Sequence, residues 1–171
     1  MKINDKTLTL RPVVLPDDEE FLVELYYTTR DDIGLSTLDE TQKKMLSLMQ
    51  YLAQKQHYAE QFPDTNHDII LLDGKSIGRF WTARYEKEIV GVDLAVLPEY
   101  RRLGIGTFLL QKIFDEAAQT ERIFNFHVLR TNAAAIRLYE RLNCQFVGET
   151  VSHFQMRWQA EVSSLELSTR H

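Results

Sequence analysis

The stretch from Leu94 to Leu109 constrains the fold of this chain more than any other part of its sequence. It reads LAVLPEYRRLGIGTFL, in which a strand-like run ends at Val96, two arginines follow, and Gly104 and Gly106 precede a new apolar run. The first N–H groups of a helix have no partner within it, and with the helix dipole they attract an anion. Glycine lets a phosphate approach the main chain closely. The stretch therefore predicts a loop that binds a phosphate-bearing ligand.

Two common phosphate-binding loops do not fit this stretch. A dinucleotide-binding fingerprint needs a third glycine where this chain has Leu109, and its strand normally opens the domain. A P-loop ends in Gly-Lys-Ser or Gly-Lys-Thr, and the stretch contains neither sequence. A different kind of α/β fold is therefore expected.

The whole chain predicts one mixed α/β domain over residues 1–158 and a polar tail over residues 159–171. A helix between the fourth and fifth strands makes those strands parallel, because parallel neighbours need a crossover connection. Strands are predicted at residues 7–11, 69–72, 77–85, 89–96, 123–129, 146–147 and 152–158, with a turn at Asp73-Gly74. Helices are predicted from about residue 17, from about residue 37 to Pro63, and over residues 104–119 and 133–142.

Capping boxes are predicted at the start of the first two helices. Asp17 with Glu20, and Thr37 with Glu40, have the spacing at which each side chain bonds the other residue's backbone N–H. The apolar residues at helical spacing are Phe21, Leu22 and Leu25 in the first helix and Met45, Leu48, Met49 and Leu52 in the second.

Composition narrows the classes of function. The net charge of −5 argues against a protein that coats nucleic acid or an anionic membrane, and the apolar runs are too short to span a bilayer. Cys144 is the single cysteine, which excludes an internal disulfide and a multi-cysteine zinc site, so no metal is expected. No stretch near Met1 resembles a signal peptide. These features predict a cytoplasmic protein.

The glycine loop resembles a known signature. RRLGIG at residues 101–106, with Val-x-Pro before it and Leu-Leu soon after it, resembles the acetyl-CoA signature of the GNAT superfamily. NAAAIRLYERL at residues 132–142 resembles the second conserved block of that superfamily. The resemblance implies a mixed, largely antiparallel seven-stranded sheet flanked by four helices, with strands 4 and 5 parallel. It also implies an N-acetyltransferase that moves the acetyl group of acetyl-CoA to a primary amine by direct attack.

The resemblance assigns roles to individual residues. The Leu94 N–H would polarise the thioester carbonyl, and Tyr139 would protonate the leaving thiolate. Asn132 would contact the pantetheine arm of the cofactor, and backbone N–H groups of residues 103–107 would hold its pyrophosphate. The cofactor-binding residues so implied are Leu94, Val96, Arg101, Arg102, Leu103, Gly104, Ile105, Gly106, Thr107, Asn132 and Tyr139.

Some positions allow a second interpretation. Asn132 would also serve as a helix N-cap, and Tyr139 as a core aromatic residue. Many members of the superfamily carry a glutamate as general base where this chain has Val90. Alternation along the strand should turn Asp93 away from the face of Val90. The Asn143-Cys144 pair replaces the usual Gly-Phe, and Asn tolerates the left-handed conformation that a helix end needs.

The acceptor side is the least determined. In this superfamily the first two helices and the last two strands usually frame the acceptor pocket, where Tyr26, Arg30, His57, Tyr58 and His153 are the candidates. The acceptor is a small molecule or a peptide amine, and a homodimer is compatible with such folds. A non-catalytic module that senses CoA or docks a partner is the alternative, supported by the missing glutamate. A transferase of larger acyl groups is a third reading.

Overall fold

The computed structural model describes residues 2–3, 5–63 and 65–160, and its helices and strands follow one another as the sequence predicts. The strands are β1 (Lys2–Ile3), β2 (Lys6–Pro12), β3 (Thr65–Leu72), β4 (Lys75–Arg84), β5 (Glu88–Val96), β6 (Ile123–Leu129), β7 (Gln145–Glu149) and β8 (His153–Trp158). The α-helices are α1 (Glu19–Tyr27), α2 (Asp31–Gly34), α3 (Glu40–Gln61), α4 (Ile105–Gln119) and α5 (Ala133–Arg141).

The seven predicted strands correspond to β2–β8, and the four predicted helices to α1, α3, α4 and α5. The two-residue β1 and the four-residue α2 are too short to leave a periodic pattern in the sequence. From residue 161 onward, the predicted polar tail lies outside the described residues. No helix in the described part of the chain is both long and apolar enough to cross a membrane.

The chain divides into two compact units. The first contains Met1–Arg84 and Gly91–Gly106, and the second contains Tyr85–Val90 and Thr107–His171. Strand β5 and helix α4 each pass from one unit into the other. The single domain over residues 1–158 stays a prediction.

In the first unit the strands lie in the order β1-β2-β3-β4-β5. β2 pairs antiparallel with β3, and β3 with β4. The predicted turn is confirmed, because Asp73 and Gly74 both have positive φ, at 51° and 80°, as a tight hairpin needs. Helices α1 and α3 bury Leu22, Tyr26 and Tyr51 in a core cluster with Ile69 of β3.

Of the two predicted capping boxes, one is absent and the other is displaced. Asp18 is the N-cap of α1, and its carboxylate accepts from Arg11 and from the Val14 N–H instead of from the helix. The proposed pairing of Asp17 with Glu20 is therefore wrong. Helix α3 does begin with a capping box, but between Asp39 and Gln42, two residues after the predicted one.

Helix α3 turns its polar side inward. Met45 is 62% exposed and Met49 63%, and Leu48 and Leu52 are also exposed, whereas Ser47 and Tyr51 are buried. Beneath the helix, the Arg79 guanidinium of β4 donates to the Gln54 side chain at 2.6 Å. The apolar periodicity thus predicts the helix correctly, but it marks the solvent side, because a charged group occupies the sheet below.

In the second unit the first residues of β5 are followed in order by β6, β8 and β7. β5 and β6 run parallel, as predicted for the fourth and fifth strands, and β8 pairs antiparallel with both β6 and β7. Phe114 of α4 contacts Phe124 of β6 edge-on and stacks on Trp158 of β8 at 4.5 Å. Asn143 has a φ of 60°, which confirms the left-handed helix end expected there.

Candidate active site

The loop between β5 and α4 has a defined path in the first unit. β5 ends at Val96, and a single 3-10 turn over Pro98–Tyr100 follows at once. Arg102 and Gly104 then take positive φ angles of 65° and 83°, and α4 begins at Ile105. Two left-handed residues in a three-residue span reverse the chain sharply, and glycine makes the second of them inexpensive. The predicted strand–loop–helix arrangement is confirmed.

Contacts outside the loop hold it in this shape. The Leu97 N–H donates to the Ile77 carbonyl of β4 at 2.8 Å, and the Lys75 ammonium lies 5.3 Å from the centre of the Tyr100 ring. Arg101 adds two hydrogen bonds, from Nε to the Val96 carbonyl at 2.9 Å and from Nη2 to the Thr28 carbonyl at 3.2 Å. These contacts all come from the protein, so they fix the shape of the loop without a ligand.

The loop also leaves room for a phosphate. A Cβ placed on Gly104 would meet no atom within 4 Å, so the main chain there is open to an approaching group. The first turn of α4 carries no acidic residue that would repel an anion, and Arg102 is exposed beside it. These residues fit the pyrophosphate of CoA by space and by charge.

Strand β5 lies unusually close to its neighbour just before the loop. A Cβ on Gly78 of β4 would lie 2.3 Å from the Ala95 carbonyl oxygen and 3.2 Å from the Val96 Cα. Only glycine therefore allows this approach. The same stretch contains Leu94, whose N–H the resemblance places at the thioester carbonyl.

The carboxylates near Val90 are occupied. Asp93 accepts a hydrogen bond from Arg79 Nε, and the Arg79 side chain is only 4% exposed. In the second unit Glu88 accepts from the Asn125 amide at 2.6 Å. Both carboxylates near Val90 therefore already accept a hydrogen bond from another side chain.

Asn132 and Tyr139 lie in the second unit. The Asn132 side chain accepts from the Ala135 N–H at 3.1 Å, which confirms it as the N-cap of α5. The half-buried Tyr139 ring lies 4.3 Å from Phe126 of β6, as expected for an aromatic residue at the edge of the core. Their roles toward the cofactor stay predictions.

Comparison with known proteins identifies the family. A family model described as the acetyltransferase (GNAT) family matches residues 38–143, which include the loop, α4, β6 and α5. The chain belongs to the GNAT family of acetyltransferases. It is accordingly an acyltransferase of the acetyl-CoA-dependent class, and the cofactor expected from the signature is acetyl-CoA.

One relative found by sequence agrees with this assignment. Over 54 residues the chain is 46% identical to an N-alpha-acetyltransferase of Sulfurisphaera tokodaii (strain DSM 16993 / JCM 10545 / NBRC 100140 / 7). That match covers 30% of this chain and only 32% of the relative, about a third of its length.

Two solved structures show the same fold. The PaiA N-acetyltransferase of Thermoplasma acidophilum, solved in complex with coenzyme A, has a TM-score of 0.67 at 17% identity, covering 90% of this chain and 99% of that one. The ribosomal-protein-S18-alanine N-acetyltransferase of Escherichia coli has a TM-score of 0.62 at 19% identity, covering 96% and 99%. Identities this low show the fold alone, and the GNAT-like fold class is thereby confirmed.

The acceptor candidates of this GNAT chain are scattered. Tyr26 and Arg30 meet at the end of α1, where Arg30 Nη1 donates to the Tyr26 hydroxyl at 2.9 Å. Tyr58 lies edge-on to Trp81 at 5.2 Å, and burial, with the Asp93 charge, raises its pKa to about 12. His57 is exposed on α3. The rings of the consecutive residues His57 and Tyr58 lie 6.1 Å apart, so the four side chains form two neighbouring pairs along the sequence.

His153 lies in the second unit. Its Nδ1 is 2.8 Å from the Ser152 hydroxyl, and burial, with the nearby His127, lowers its pKa. The ring is therefore neutral near pH 7. Its role toward an acceptor remains a prediction. Among the residues that the structure describes, no group of three or more His, Cys, Asp or Glu side chains is placed to hold a metal ion.

Sequence reasoning missed Gly78 and Arg79. Both lie in the strand IGRFWTAR, where a glycine indicates close backbone approach and a charge within an apolar run indicates a buried partner. These two signals were available in the sequence. The partner, Asp93, was not, because no local pattern shows which carboxylate an arginine meets.

Proposed function

We propose that this chain transfers the acetyl group of acetyl-CoA to a primary amine by direct attack of the amine. The observation that carries the proposal is the held loop of residues 97–104, which leads into the N-terminus of α4 with an open main chain at Gly104. Acetyl-CoA, when bound, supplies an activated thioester. The residues of the chain bind it and orient it.

Backbone groups supply the main contacts in this proposal. The N–H groups of residues 103–107 hold the pyrophosphate, and the exposed Arg102 adds a charge-assisted contact. The Leu94 N–H donates to the carbonyl oxygen where negative charge develops. The strand position that presents it is fixed by the close approach at Gly78. In the second unit, Asn132 contacts the pantetheine and Tyr139 donates a proton to the departing sulfur.

The proton of the amine leaves to water in this proposal. Val90 is apolar, and Asp93 and Glu88 already accept hydrogen bonds from Arg79 and Asn125. An acceptor that reacts without a protein base must itself be partly neutral near pH 7. An α-amino group, with a pKa near 8, is about one-tenth neutral there, whereas a lysine side chain is neutral in fewer than about one molecule in a thousand.

The acceptor proposed first is therefore the α-amine of a peptide N-terminus. The engaged carboxylates support it, and so does the likeness to an N-alpha-acetyltransferase over 54 residues. A matched pair of peptides tests it, one with a free N-terminus and no lysine, the other with a blocked N-terminus and one lysine. Mass spectrometry should find the acetyl group on the first peptide, and acetylation of the lysine alone would reject this acceptor class.

A CoA-sensing module without catalysis is the second candidate, and the same engaged carboxylates favour it. Turnover separates the two. Acetylated product that appears in proportion to enzyme and time requires catalysis, whereas cofactor binding without product from a broad amine panel favours the sensor.

Cofactor binding is tested by thermal unfolding with acetyl-CoA and with free CoA. At a ligand concentration a hundredfold above Kd, binding should stabilise the fold by about 2.7 kcal/mol. For a chain of this size, each kcal/mol raises Tm by about 2–4 °C. Gly104→Asp places a negative charge at the open main chain and should abolish the shift. Gly104→Asn has nearly the same shape and tolerates positive φ, so the difference between the variants isolates the charge. Equal shifts of Tm in wild type and Gly104→Asp would show that the loop is not part of the cofactor site.

A further inference from the structure

We infer that Arg101 is a positioning residue, which ties the phosphate loop to the end of helix α1 and is not itself a phosphate ligand. The inference assigns a role to a side chain of the signature, and it rests on the proposed function only where it concerns the cofactor. All of its contacts lie within the first unit.

The Arg101 guanidinium bridges two main-chain ends. Its Nε donates to the carbonyl of Val96, the last residue of β5, at 2.9 Å. Its Nη2 donates at 3.2 Å to the carbonyl of Thr28, the C-cap of α1, which lies 73 residues away in sequence. One planar group thus links a strand end, a helix end and the loop between β5 and α4.

A cation is favourable at this end of helix α1. The last carbonyls of a helix have no partner within it and carry the negative end of its dipole. α1 has Glu19 and Glu20 in its first turn, where acidic residues are favourable, but no basic residue in its last turn. Arg101 supplies that charge from a distant part of the chain. The contact is therefore favourable for the helix without any ligand.

Arg102 is the better candidate for a ligand contact. The two arginines are neighbours, but Arg102 has a left-handed backbone, which changes the direction of the chain between them. Arg101 is committed to two carbonyls, while Arg102 is exposed beside the start of α4. Arg101 is thus a brace, which links the loop to helix α1, and Arg102 is a surface cation.

The segment braced by Arg101 carries two of the acceptor candidates. Tyr26 and Arg30 lie on either side of Thr28, and Arg30 is also fixed by Asp32 at 2.7 and 2.9 Å. When a bound ligand reduces the motion of the loop, the Arg101 guanidinium should reduce the motion of this segment as well. We therefore expect cofactor binding to be felt at residues 27–36, and the Arg101 side chain to transmit it.

Hydrogen exchange of the whole protein tests the brace first without ligand. Arg101→Ala should raise exchange severalfold at residues 27–36, where the N–H groups of Thr29 and Arg30 bond the last turn of α1. Arg101→Lys keeps the charge but cannot span both carbonyls, so it should fall between wild type and alanine. Arg102→Ala is the matched control and should leave this segment unchanged. Wild-type exchange at residues 27–36 in Arg101→Ala would overturn the inference.

The second arm adds acetyl-CoA at saturating concentration for each protein. Wild type and Arg102→Ala should gain protection both in the loop and at residues 27–36, whereas Arg101→Ala should gain it in the loop alone. Direct titration should show a larger loss of cofactor affinity for Arg102→Ala than for Arg101→Ala. The reverse order would identify Arg101 as a phosphate ligand and overturn the inference. Failure of wild type to bind acetyl-CoA would reject the proposed function, while the ligand-free arm would still decide the brace.

Discussion

Two arginines hold strand β5 in place, and they do so in opposite surroundings. Arg79 is buried under helix α3 and pairs with Asp93 in the middle of the strand. Arg101 is exposed in the loop and bonds the carbonyl at the strand's end. A buried charge that loses its partner is costly, whereas an exposed hydrogen bond is readily replaced by water. We therefore expect the first arginine to govern stability, and the second to govern how the loop is coupled to helix α1.

Removing the buried arginine should have the largest effect on folding. Arg79→Met leaves Asp93 as a partly buried charge without its partner, and should lower the free energy of unfolding by about 3 kcal/mol. Urea denaturation measures it. Arg101→Met is the matched control and should cost about 1 kcal/mol or less. Adding Asp93→Leu to Arg79→Met should recover most of the loss, and a double variant no more stable than the single one would contradict the pairing.

The next largest effect is expected at Gly78. Gly78→Ala places a Cβ against the Ala95 carbonyl, a main-chain atom that cannot turn away, so β4 and β5 must separate. Overpacking of this kind costs about 1–3 kcal/mol. The shift should also reach Leu94 and weaken the stabilisation by acetyl-CoA. Gly34→Ala meets open space and serves as control, and an equally small effect at both glycines would refute the close approach.

The buried region should also respond to pH, through His67. Its ring stacks on Trp81 at 4.0 Å, and burial, together with the Arg79 charge, lowers its pKa to about 4. Asp93 and Asp18 act in the opposite direction, and Lys55 in the same one. The unfolded chain takes up this proton near pH 6.5 and the folded chain only near pH 4. The contribution of neutral His67 to stability is therefore complete above pH 6.5 and is lost as the pH falls from 6.5 to 4. After allowance for solvent, the loss is on the order of 2 kcal/mol.

Unfolding curves from pH 7 to pH 4 measure this dependence. His67→Phe should flatten it, whereas His57→Phe, at an exposed position on α3, should not. The Arg101 guanidinium bonds the main-chain carbonyls of Val96 and Thr28 rather than the ring of His67, so Arg101→Met should keep the wild-type slope. A slope unchanged by His67→Phe would assign the dependence to other groups.

The smallest effect is expected on the outer side of the helix that covers Arg79. Leu48→Ala should cost less than about 1 kcal/mol because Leu48 is 40% exposed. The same change at Leu22, which is 1% exposed, should cost about 2–5 kcal/mol. The two leucines thus compare one substitution in two environments, and similar costs would mean that α3 faces the other way.

These differences also explain how far the sequence could be read. Strands, helices and the glycine loop follow from local patterns, and so do the left-handed Asn143 and the N-cap at Asn132. The start of α1 does not, because the Asp18 carboxylate is bound by Arg11, across a turn. The inward face of α3 does not either, because its polar residues depend on Arg79 in a strand that comes later.

The same limit applies within the candidate site. The sequence contains two arginines just before the glycines of the signature. The start of the helix there predicts that an anion binds. Only the fold shows that Arg101 reaches Thr28, which is 73 residues away. A role that depends on a contact between residues distant in sequence therefore cannot be predicted from one sequence.

The state of the lone cysteine has a practical consequence. Cys144 is buried, and burial raises its pKa to about 12, so it offers almost no thiolate at neutral pH. Thiol reagents should therefore leave the folded protein unlabelled, and a colour reaction with free thiols would record released CoA without background from the enzyme. The same property makes the wild-type chain a ready host for a single reporter dye. A cysteine placed at exposed Leu103 would be the only reactive one, and its fluorescence could follow the loop directly.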